Sequence, residues 1–492
     1  MKIIKWLGIA LIALIAVLLF NTLRVPTFEP RVAQKGPLLL IDEEGANQRL
    51  SKALQFRTVS IRTTSGPATK PFQQFNQWLT EAYPVFHEHA QRELINTLSP
   101  LYTLQGSNPA LKPILFAAHT DVVPAREDAN SGWRKPPFSG EISEGAIWGR
   151  GAFDDKGSVI GLLEAAEHLL KAGFKPERTI YFAFGHDEEI GGFQGAVKIV
   201  EHLQAQGVQL EFMLDEGGQL TQHIVAGVDF PVANINPIEK GYATFTFTVK
   251  ELGGHSSVPP RDTAVARLAR AILKVNENRL PAEIVSPVDQ LLKDLAPAMS
   301  FGQRLVIANL WLFEPVVLKM FGQKNTTAAM TQTTVAPTIF QSGHTENVLP
   351  RKASATINFR LLPGTTLQSL GKYLEDTVND PAVNITLNAP FQSDPSPLSS
   401  QSNRAWDLLY STTAKYFPSA VIAPNLTVGA TDARHYAAIA DDQYRFLPII
   451  LTPDDISGFH GKNERISIQN WHRMVRWYID FISVASKAAA EE

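Results

Sequence analysis

The sequence predicts an α/β fold, in which a parallel-rich sheet is flanked by helices and a smaller α+β lid domain is inserted. Two observations support this prediction. Short apolar runs, typical of strands buried on both faces, alternate with amphipathic helical stretches. Near Pro237 this rhythm gives way to strict alternation of apolar and polar residues, which is typical of half-exposed antiparallel strands. The first pattern indicates the large sheet, and the second indicates the insertion.

The predicted elements of the large sheet come first along the chain. Apolar runs at 111–118, 179–185 and 209–214 predict parallel strands, and helices predicted at 158–172 and 195–206 connect them. Helices at 404–416 and 469–485 would complete this domain after a linker at 391–403, which is rich in Ser and Pro.

The inserted lid is predicted to contain three strands and two helices: strands 242–250, 353–362 and 383–387, and helices 261–276 and 367–378. Within the insertion, residues 288–321 are unusually apolar, and two interpretations stay open. They form helices packed inside the insertion, or a surface that faces lipid or an acyl chain.

These patterns divide the chain into five parts. They are an N-terminal membrane anchor or signal (1–24), a stalk (25–44), the first part of the large domain (45–236), the lid (237–390) and the second part of the large domain (391–492).

Composition narrows the class of protein. The 492 residues are 44% hydrophobic and 19% charged, with a formal net charge of −3, so an ordinary globular protein is expected and nucleic acid is not an expected partner. There are no cysteines, so any metal must be held by nitrogen and oxygen ligands.

The N-terminus carries the clearest targeting signal. Lys2 and Lys5 precede an apolar run at 6–20, whose fifteen residues lie between a signal-peptide core and a full membrane span. No small-residue cleavage site follows Phe20, which favours an uncleaved single-pass anchor. Charges are similar on both sides of the run and give little information on orientation, and the folded part is expected outside the cytoplasm. A cleaved signal, giving a secreted or periplasmic protein, is the alternative, and a buried core helix is a third interpretation.

Acidic and histidine side chains recur just after the predicted strands. His119 ends one strand, and the pairs Glu188–Glu189 and Asp215–Glu216 follow two others. The carboxyl ends of parallel strands are where α/β enzymes keep their chemistry. Neutral imidazoles and ionised carboxylates that converge on one point are what water-activating metals need.

The spacing within these clusters suggests separate roles. Asp121 lies two residues after His119 and so can reach the ring nitrogen that a metal does not use. Asp154, between a glycine-containing loop and a helix, can present its carboxylate to two ions. Glu188 and Glu189 should diverge, so that one binds metal and the other acts as general base.

Five motifs together resemble the zinc family of aminoacylases, glutamate carboxypeptidases and carboxypeptidase S. They are Ala118-His119-Thr120-Asp121-Val122-Val123-Pro124, residues 148–157, residues 185–192, Gly253-Gly254-His255-Ser256 and Gly458-Phe459-His460-Gly461-Lys462-Asn463-Glu464. The similarity extends from about residue 49 to residue 482, and it is strongest to the carboxypeptidase S and N-fatty-acyl-amino-acid synthase/hydrolase branch.

The resemblance implies two zinc ions per chain, for which Co²⁺ or Mn²⁺ could substitute. His119 and Glu216 would hold one ion and Glu189 and His460 the other, with Asp154 between them.

The resemblance also implies catalytic and substrate-binding roles. Glu188 would be the general base, Asp121 would orient His119, and His255 would polarise the scissile carbonyl when the domains close. The substrate-binding residues would be Asn347, Arg360 and Arg434, and the guanidinium groups of the two arginines suit a substrate carboxylate. A surface or interdomain salt bridge stays open as the alternative for these assignments. Asp215 stays open as the alternative to Glu216 as metal ligand, and a structural turn stays open for His255.

The function implied is hydrolysis of an amide bond beside a free carboxylate, by a water that two zinc ions and a glutamate base activate. The substrate would be a small peptide or an N-acyl amino acid, and the apolar insertion and anchor favour fatty-acyl groups. The alternative is a membrane-anchored metal- or peptide-binding protein on an inactive hydrolase fold. A homodimer is left open.

Overall fold

The structure is a computed structural model that describes residues 2–31, 39–61, 68–128, 130–389 and 391–488. Part of the predicted stalk, residues 32–38, and the last four residues of the chain lie outside the described residues. The α-helices are Lys2–Arg24, Glu43–Leu54, Thr69–Ala82, Pro84–His89, Lys156–Lys171, Ala196–Ala205, Ala264–Glu277, Val288–Leu295, Phe301–Ala308, Leu310–Phe321, Asn325–Thr331, Leu367–Val378, Arg404–Tyr416, Pro453–Ile456 and Ile468–Ala485.

An eight-stranded sheet forms the centre of the large domain. Its strands, in spatial order, are Gln91–Ile95, Ser99–Leu104, Ile180–Gly185, Ile114–His119, Leu210–Thr221, Ala440–Leu451, Val232–Glu239 and Val421–Thr427. In this order, each strand from Ile180–Gly185 to Ala440–Leu451 runs parallel to the next one. These central strands are buried on both faces, as their continuous apolar sequences predict.

Helices cover both faces of this sheet. The helices Lys156–Lys171 and Ile468–Ala485 bury aliphatic and aromatic residues in the main core on one face. Ala196–Ala205 packs on the other face with Tyr436. The predicted α/β class and the parallel-rich sheet are confirmed.

The inserted lid has its own sheet and core. Its four strands are, in order, Thr334–Ser342, Lys352–Leu361, Gly241–Lys250 and Val383–Leu387, all antiparallel. Alternate residues of Gly241–Lys250 are buried, so the predicted period of two is confirmed. The helices Ala264–Glu277 and Leu367–Val378 cover the apolar face. Two short strands, Gly254–His255 and Val348–Leu349, form a separate ribbon.

The apolar stretch of the insertion is helical, which agrees with either of its two interpretations. It forms Val288–Leu295, Phe301–Ala308 and Leu310–Phe321. The N-terminal helix Lys2–Arg24 is long and apolar enough to cross a membrane, and a signal sequence has the same features.

The segment that follows the N-terminal helix packs on the folded domains. The ring of Phe28 lies 4.9 Å from that of Phe230, and the backbone N–H of Phe28 donates to Pro297 O at 3.0 Å. The backbone N–H of Arg31 donates to Pro418 O at 2.9 Å, and its guanidinium lies over the ring of Tyr410. The described beginning of the predicted stalk is therefore held against the protein.

A buried ion pair joins two neighbouring strands of the large sheet, Ala440–Leu451 and Val232–Glu239, and it also binds a loop residue, Thr431. Arg445 Nε donates to Glu239 Oε2 at 2.9 Å, and both side chains are almost inaccessible to solvent. The backbone N–H and hydroxyl of Thr431 donate to the same oxygen, at 3.1 and 3.0 Å. Removing one partner of such a pair leaves an uncompensated charge in the interior.

Glu239→Gln is expected to destabilise the large domain by about 3–5 kcal/mol, because Arg445 then stays buried without its counter-ion. Thermal unfolding in detergent, followed by circular dichroism, measures the change. Glu201→Gln is the control, since Glu201 pairs with Lys198 on the surface, and it should alter stability by less than about 0.5 kcal/mol. Equal effects of the two variants would contradict the prediction.

Candidate active site

Two groups of histidine and carboxylate side chains meet at one edge of the large sheet. His119 Nε2 lies 3.2 Å from Asp154 Oδ1 and 3.3 Å from Glu216 Oε1. His460 Nε2 lies 3.2 Å from Asp154 Oδ2 and 3.0 Å from Glu189 Oε2. Each group has the residue types and spacing that could hold a metal ion, and the two share Asp154. All five residues chosen from the sequence as ligands come together here.

These ligand candidates come from five separate segments of the chain. His119 is the last residue of its strand, and Glu216 lies within Leu210–Thr221. Asp154 precedes the helix Lys156–Lys171, and Glu189 lies in the short 3₁₀ turn Glu188–Ile190. His460 adopts a φ of 50° in the loop before the C-terminal strand Arg465–Ser467. Only tertiary structure brings these side chains together.

The carboxylates around His119 and His460 stabilise positive charge at this edge of the large sheet. Burial lowers the pKa of His119, but hydrogen bonds to Asp121, Asp154 and Glu216 outweigh burial and raise that pKa well above its ordinary value. Hydrogen bonds to Asp154 and then Glu189 raise the pKa of His460 to about 10. Cations are stabilised where carboxylates surround them at such short range.

Asp121 contacts both sides of the site. Its Oδ1 lies 3.3 Å from His119 Nδ1, the ring nitrogen turned away from Asp154. Its two oxygens accept the backbone N–H groups of Glu188 and Glu189, each at 3.2 Å. The sequence suggested the first contact. The second, by which Asp121 also holds the turn that carries the two glutamates, was not foreseen.

Two further carboxylates, which the sequence analysis missed, hold ligand-bearing backbone. Asp155 Oδ2 accepts the N–H of His119 at 3.2 Å. Glu464 Oε1 accepts the N–H groups of Gly151, Phe153 and Asp154 at 3.0 to 3.3 Å. Its other oxygen accepts from Arg150 at 2.6 Å, in a buried pair. Both were visible as acidic residues inside the quoted motifs, but sequence offers no sign of which backbone they bind.

Glu216, and not its neighbour Asp215, lies in the first group. Burial raises the pKa of Glu216 to about 7, and the Asp154 carboxylate adds to the effect. Asp215 is buried beside the group, and burial also raises its pKa.

A cavity of about 390 Å³ opens beside the second group. Glu188, Glu189 and His460 line one side of it, and Arg360 and Arg434 line another. The guanidinium of Arg360 lies 4.6 Å from the ring centroid of Tyr242, which also lines the cavity. Its Nη1 is buried and has no hydrogen-bond partner among the described residues. An unpartnered guanidinium nitrogen at a cavity is suited to bind an anion.

Aromatic side chains form the rest of the cavity wall. Phe193 contacts Phe391 with ring centroids 4.9 Å apart, and it contacts His435 at 5.7 Å. Phe193 was not among the site residues chosen from the sequence. Residues 391–397 were predicted to be a linker, yet they line the cavity as well.

His255 and Asn347 lie elsewhere. Both are exposed on the lid, where the ribbon strand Gly254–His255 pairs with Val348–Leu349 and the Ser256 N–H donates to Asn347 O at 3.2 Å. His255 Nδ1 accepts the N–H of Ser257 at 3.1 Å. Neither His255 nor Asn347, both of which the structure describes, lines the cavity beside Glu188.

Comparison with known proteins identifies relatives that match most of the chain. The family model for peptidase family M20/M25/M40 matches residues 115–484. The chain is 37% identical to a probable carboxypeptidase S-like 2 of Dictyostelium discoideum, over 97% of this chain and 93% of that protein. It is 38% identical to the N-fatty-acyl-amino acid synthase/hydrolase of Xenopus tropicalis, over 96% and 93%.

The fold also matches a solved structure. The M20 family metallo-carboxypeptidase of Sulfolobus solfataricus superposes with a TM-score of 0.68 at 19% identity, covering 91% of this chain and 100% of that one. The family resemblance read from the five motifs is thus confirmed. The chain belongs to peptidase family M20/M25/M40 and is a metal-dependent amidohydrolase.

Proposed function

We propose that this enzyme hydrolyses the amide bond between an acyl or peptidyl group and an amino acid whose carboxylate is free. The observation that carries the proposal is the pair of His-carboxylate groups that share Asp154, beside a cavity that contains two arginines. Relatives named for N-fatty-acyl-amino acid and carboxypeptidase S-like activities support this substrate class.

The donor set suits two zinc ions. It consists of imidazole nitrogens and carboxylate oxygens, which zinc binds, and it contains no thiolate. Glu189 Oε1 is buried and has no hydrogen-bond partner among the described residues, so a ligand oxygen is available there. His119 and Glu216 would hold one ion, Glu189 and His460 the other, and Asp154 would bind both. Bound zinc would polarise the carbonyl and acidify water.

Glu188 is proposed as the general base. Burial of its carboxyl group raises the pKa well above the ordinary value; the charge of His119 opposes this, and the carboxylate of Asp432 adds to it. A raised pKa suits a group that must take a proton and then release it near neutral pH. Glu188 would accept a proton from the attacking water and return it to the leaving nitrogen as the C–N bond breaks.

Arg360 and Arg434 are proposed to bind the free carboxylate of the substrate. Arg434 Nη2 already donates to Gly191 O at 3.2 Å, which fixes its guanidinium at the cavity. Phe193 and Phe391 would then contact an apolar part of the substrate. We assign His255 and Asn347 to the scissile carbonyl in a closed arrangement, since both lie on the lid.

The N-terminal helix is proposed to be an uncleaved anchor, with the hydrolase outside the cytoplasm. Its length and composition allow a full span. Membrane anchoring would keep the enzyme close to substrates that partition into lipid, which favours N-fatty-acyl amino acids over polar peptides.

The substrate proposal is tested by measuring free amino acids released from a panel of N-acyl amino acids and dipeptides. Release from the N-acyl compounds, strongest with long chains, is expected. Release from dipeptides alone would identify a carboxypeptidase. No release from any compound by the zinc-loaded protein would favour a binding protein on a hydrolase fold.

Purified without chelator, the enzyme is expected to contain about two zinc ions per chain. Asp154→Ala should lose both, because its two oxygens face different histidines, whereas His460→Ala should lose one. Elemental analysis measures the metal content. Asp454→Ala removes an exposed carboxylate from the short helix Pro453–Ile456, which precedes the His460 loop, and should retain the wild-type metal content. Full metal content in Asp154→Ala would contradict the shared-ligand assignment.

Glu188→Gln should lower kcat by about 10²–10⁴-fold with metal content unchanged, because it removes the base and keeps the size of the side chain. Glu189→Gln, its neighbour, should instead weaken metal retention. Steady-state kinetics and elemental analysis on both variants separate the two roles. An active Glu188→Gln, or one that has lost metal, would refute this assignment.

Arg360→Met should strongly reduce discrimination between an N-acyl amino acid and its carboxamide, since only Arg434 then remains to meet the carboxylate. The loss of transition-state binding should be about 2–5 kcal/mol for the acid, read from kcat/KM. Arg351→Met is the matched control, because Arg351 is an exposed residue near the same strand. Unchanged preference for the acid in Arg360→Met would contradict the assignment.

A further inference from the structure

One helix of the insertion exposes an apolar face. Leu310–Phe321 buries Val317, while Trp311, Leu312, Val316 and Met320 are 62%, 39%, 49% and 61% exposed. Leu312, Val316 and Met320 are spaced four residues apart, so they follow one side of the helix. Large apolar side chains gathered on one helix face indicate a binding surface. We call Leu312, Val316 and Met320 the apolar helix face, and Trp311 lies about 100° around the helix from Leu312, at the edge of this face.

This face begins where the insertion is fixed to the N-terminal helix. Asn309, directly before Leu310–Phe321, is fully buried. Its Nδ2 donates to Leu18 O at 3.1 Å, and its Oδ1 accepts from Asn21 Nδ2 at 2.9 Å. Thr22 is buried in the same contact. The two helices therefore cannot be positioned independently of one another.

The residues just beyond the N-terminal helix strengthen this attachment. Val25 packs in one apolar cluster with Ile307 and Val317, which come from the two helices that flank Asn309. Val317 therefore lies on the buried side of the helix Leu310–Phe321, and the apolar helix face lies on its exposed side.

The point at which Asn309 contacts the N-terminal helix determines how far Asn309 lies from the membrane surface. Leu18 lies six residues before Arg24, the last helical residue, and at 1.5 Å per residue this is about 9 Å. The helix spans roughly 35 Å in all, slightly more than the roughly 30 Å of a bilayer core. If the helix crosses the membrane, Asn309 lies close to the membrane surface on the side of the folded domains.

The side chains of the exposed helix fit such a position. Trp311 lies two residues after Asn309, and tryptophan is favoured at the boundary between lipid and water. Leu310–Phe321 contains two charged residues, Glu314 and Lys319. Lys319 is exposed near the apolar helix face, and a lysine there can extend its amine to lipid phosphates while its stem stays in apolar surroundings.

We propose that the apolar helix face of Leu310–Phe321 lies in the surface of the bilayer that the N-terminal helix spans. The enzyme would then contact the membrane twice, once through a spanning helix and once through an interfacial helix of the lid insertion. This second contact extends the anchoring described under Proposed function, and it would fix the orientation of the hydrolase relative to the lipid.

The absence of native cysteines allows a direct test on the full chain. Single variants Leu312→Cys, Val316→Cys and Met320→Cys are labelled with an environment-sensitive fluorophore and reconstituted into phosphatidylcholine and phosphatidylglycerol vesicles. Leu252→Cys is the control, because Leu252 is 91% exposed on the lid and outside the apolar helix face. Quenching by headgroup-level lipid nitroxides is compared with quenching by aqueous iodide.

The three labels on the apolar helix face should emit at shorter wavelength than the control, lose iodide quenching and gain nitroxide quenching. Iodide quenching equal to that of Leu252→Cys would overturn the proposal. Shielding from iodide without nitroxide quenching would indicate that protein, such as a second copy of the chain, covers the face, and this would overturn it too. Amino-acid release by each labelled protein, measured in parallel, verifies folding and keeps this outcome separate from that of the substrate proposal.

Discussion

The candidate site depends on a second set of buried carboxylates that bind backbone N–H groups. Asp155 holds the backbone of His119, Glu464 holds the loop of Asp154, and Asp121 holds the turn with the two glutamates. A buried carboxyl group without hydrogen-bond partners would be costly, and these N–H groups supply the partners. The backbone of His119, Asp154, Glu188 and Glu189 is thus positioned by carboxylates that do not line the cavity.

Most of the fold could be predicted from the sequence, because helices and strands are indicated by patterns of neighbouring residues. The apolar run that ends at His119 and the alternation in Gly241–Lys250 each predicted a strand whose burial the structure bears out. Leu367–Val378 and Arg404–Tyr416 have the bounds that periodicity predicted. Ser and Pro in residues 391–403 indicated an irregular linker, but they gave no sign that residues 391–397 also line the cavity.

The sequence predicted only part of the candidate site, because it does not show the contacts between distant segments of the chain. Residue type and position after a strand identify which side chains could bind a metal, and the five chosen do meet. Which carboxylate binds which N–H group depends on distances across separate chain segments, so Glu464 could not be assigned from its motif. Phe193 illustrates the same limit: a phenylalanine in a loop resembles any core residue until Phe391 and His435 are placed against it.

The position of Ala440–Leu451 has a consequence for biosynthesis. Leu210–Thr221 and Val232–Glu239 pair only near the turn that joins them, and Ala440–Leu451, made some 200 residues later, fills the space between them. A nascent chain therefore exposes two unpaired strand edges until that late segment leaves the ribosome, while the lid already has a complete core of its own. Because His460 comes later still, the second group of metal-ligand candidates cannot assemble until that segment has also been synthesised.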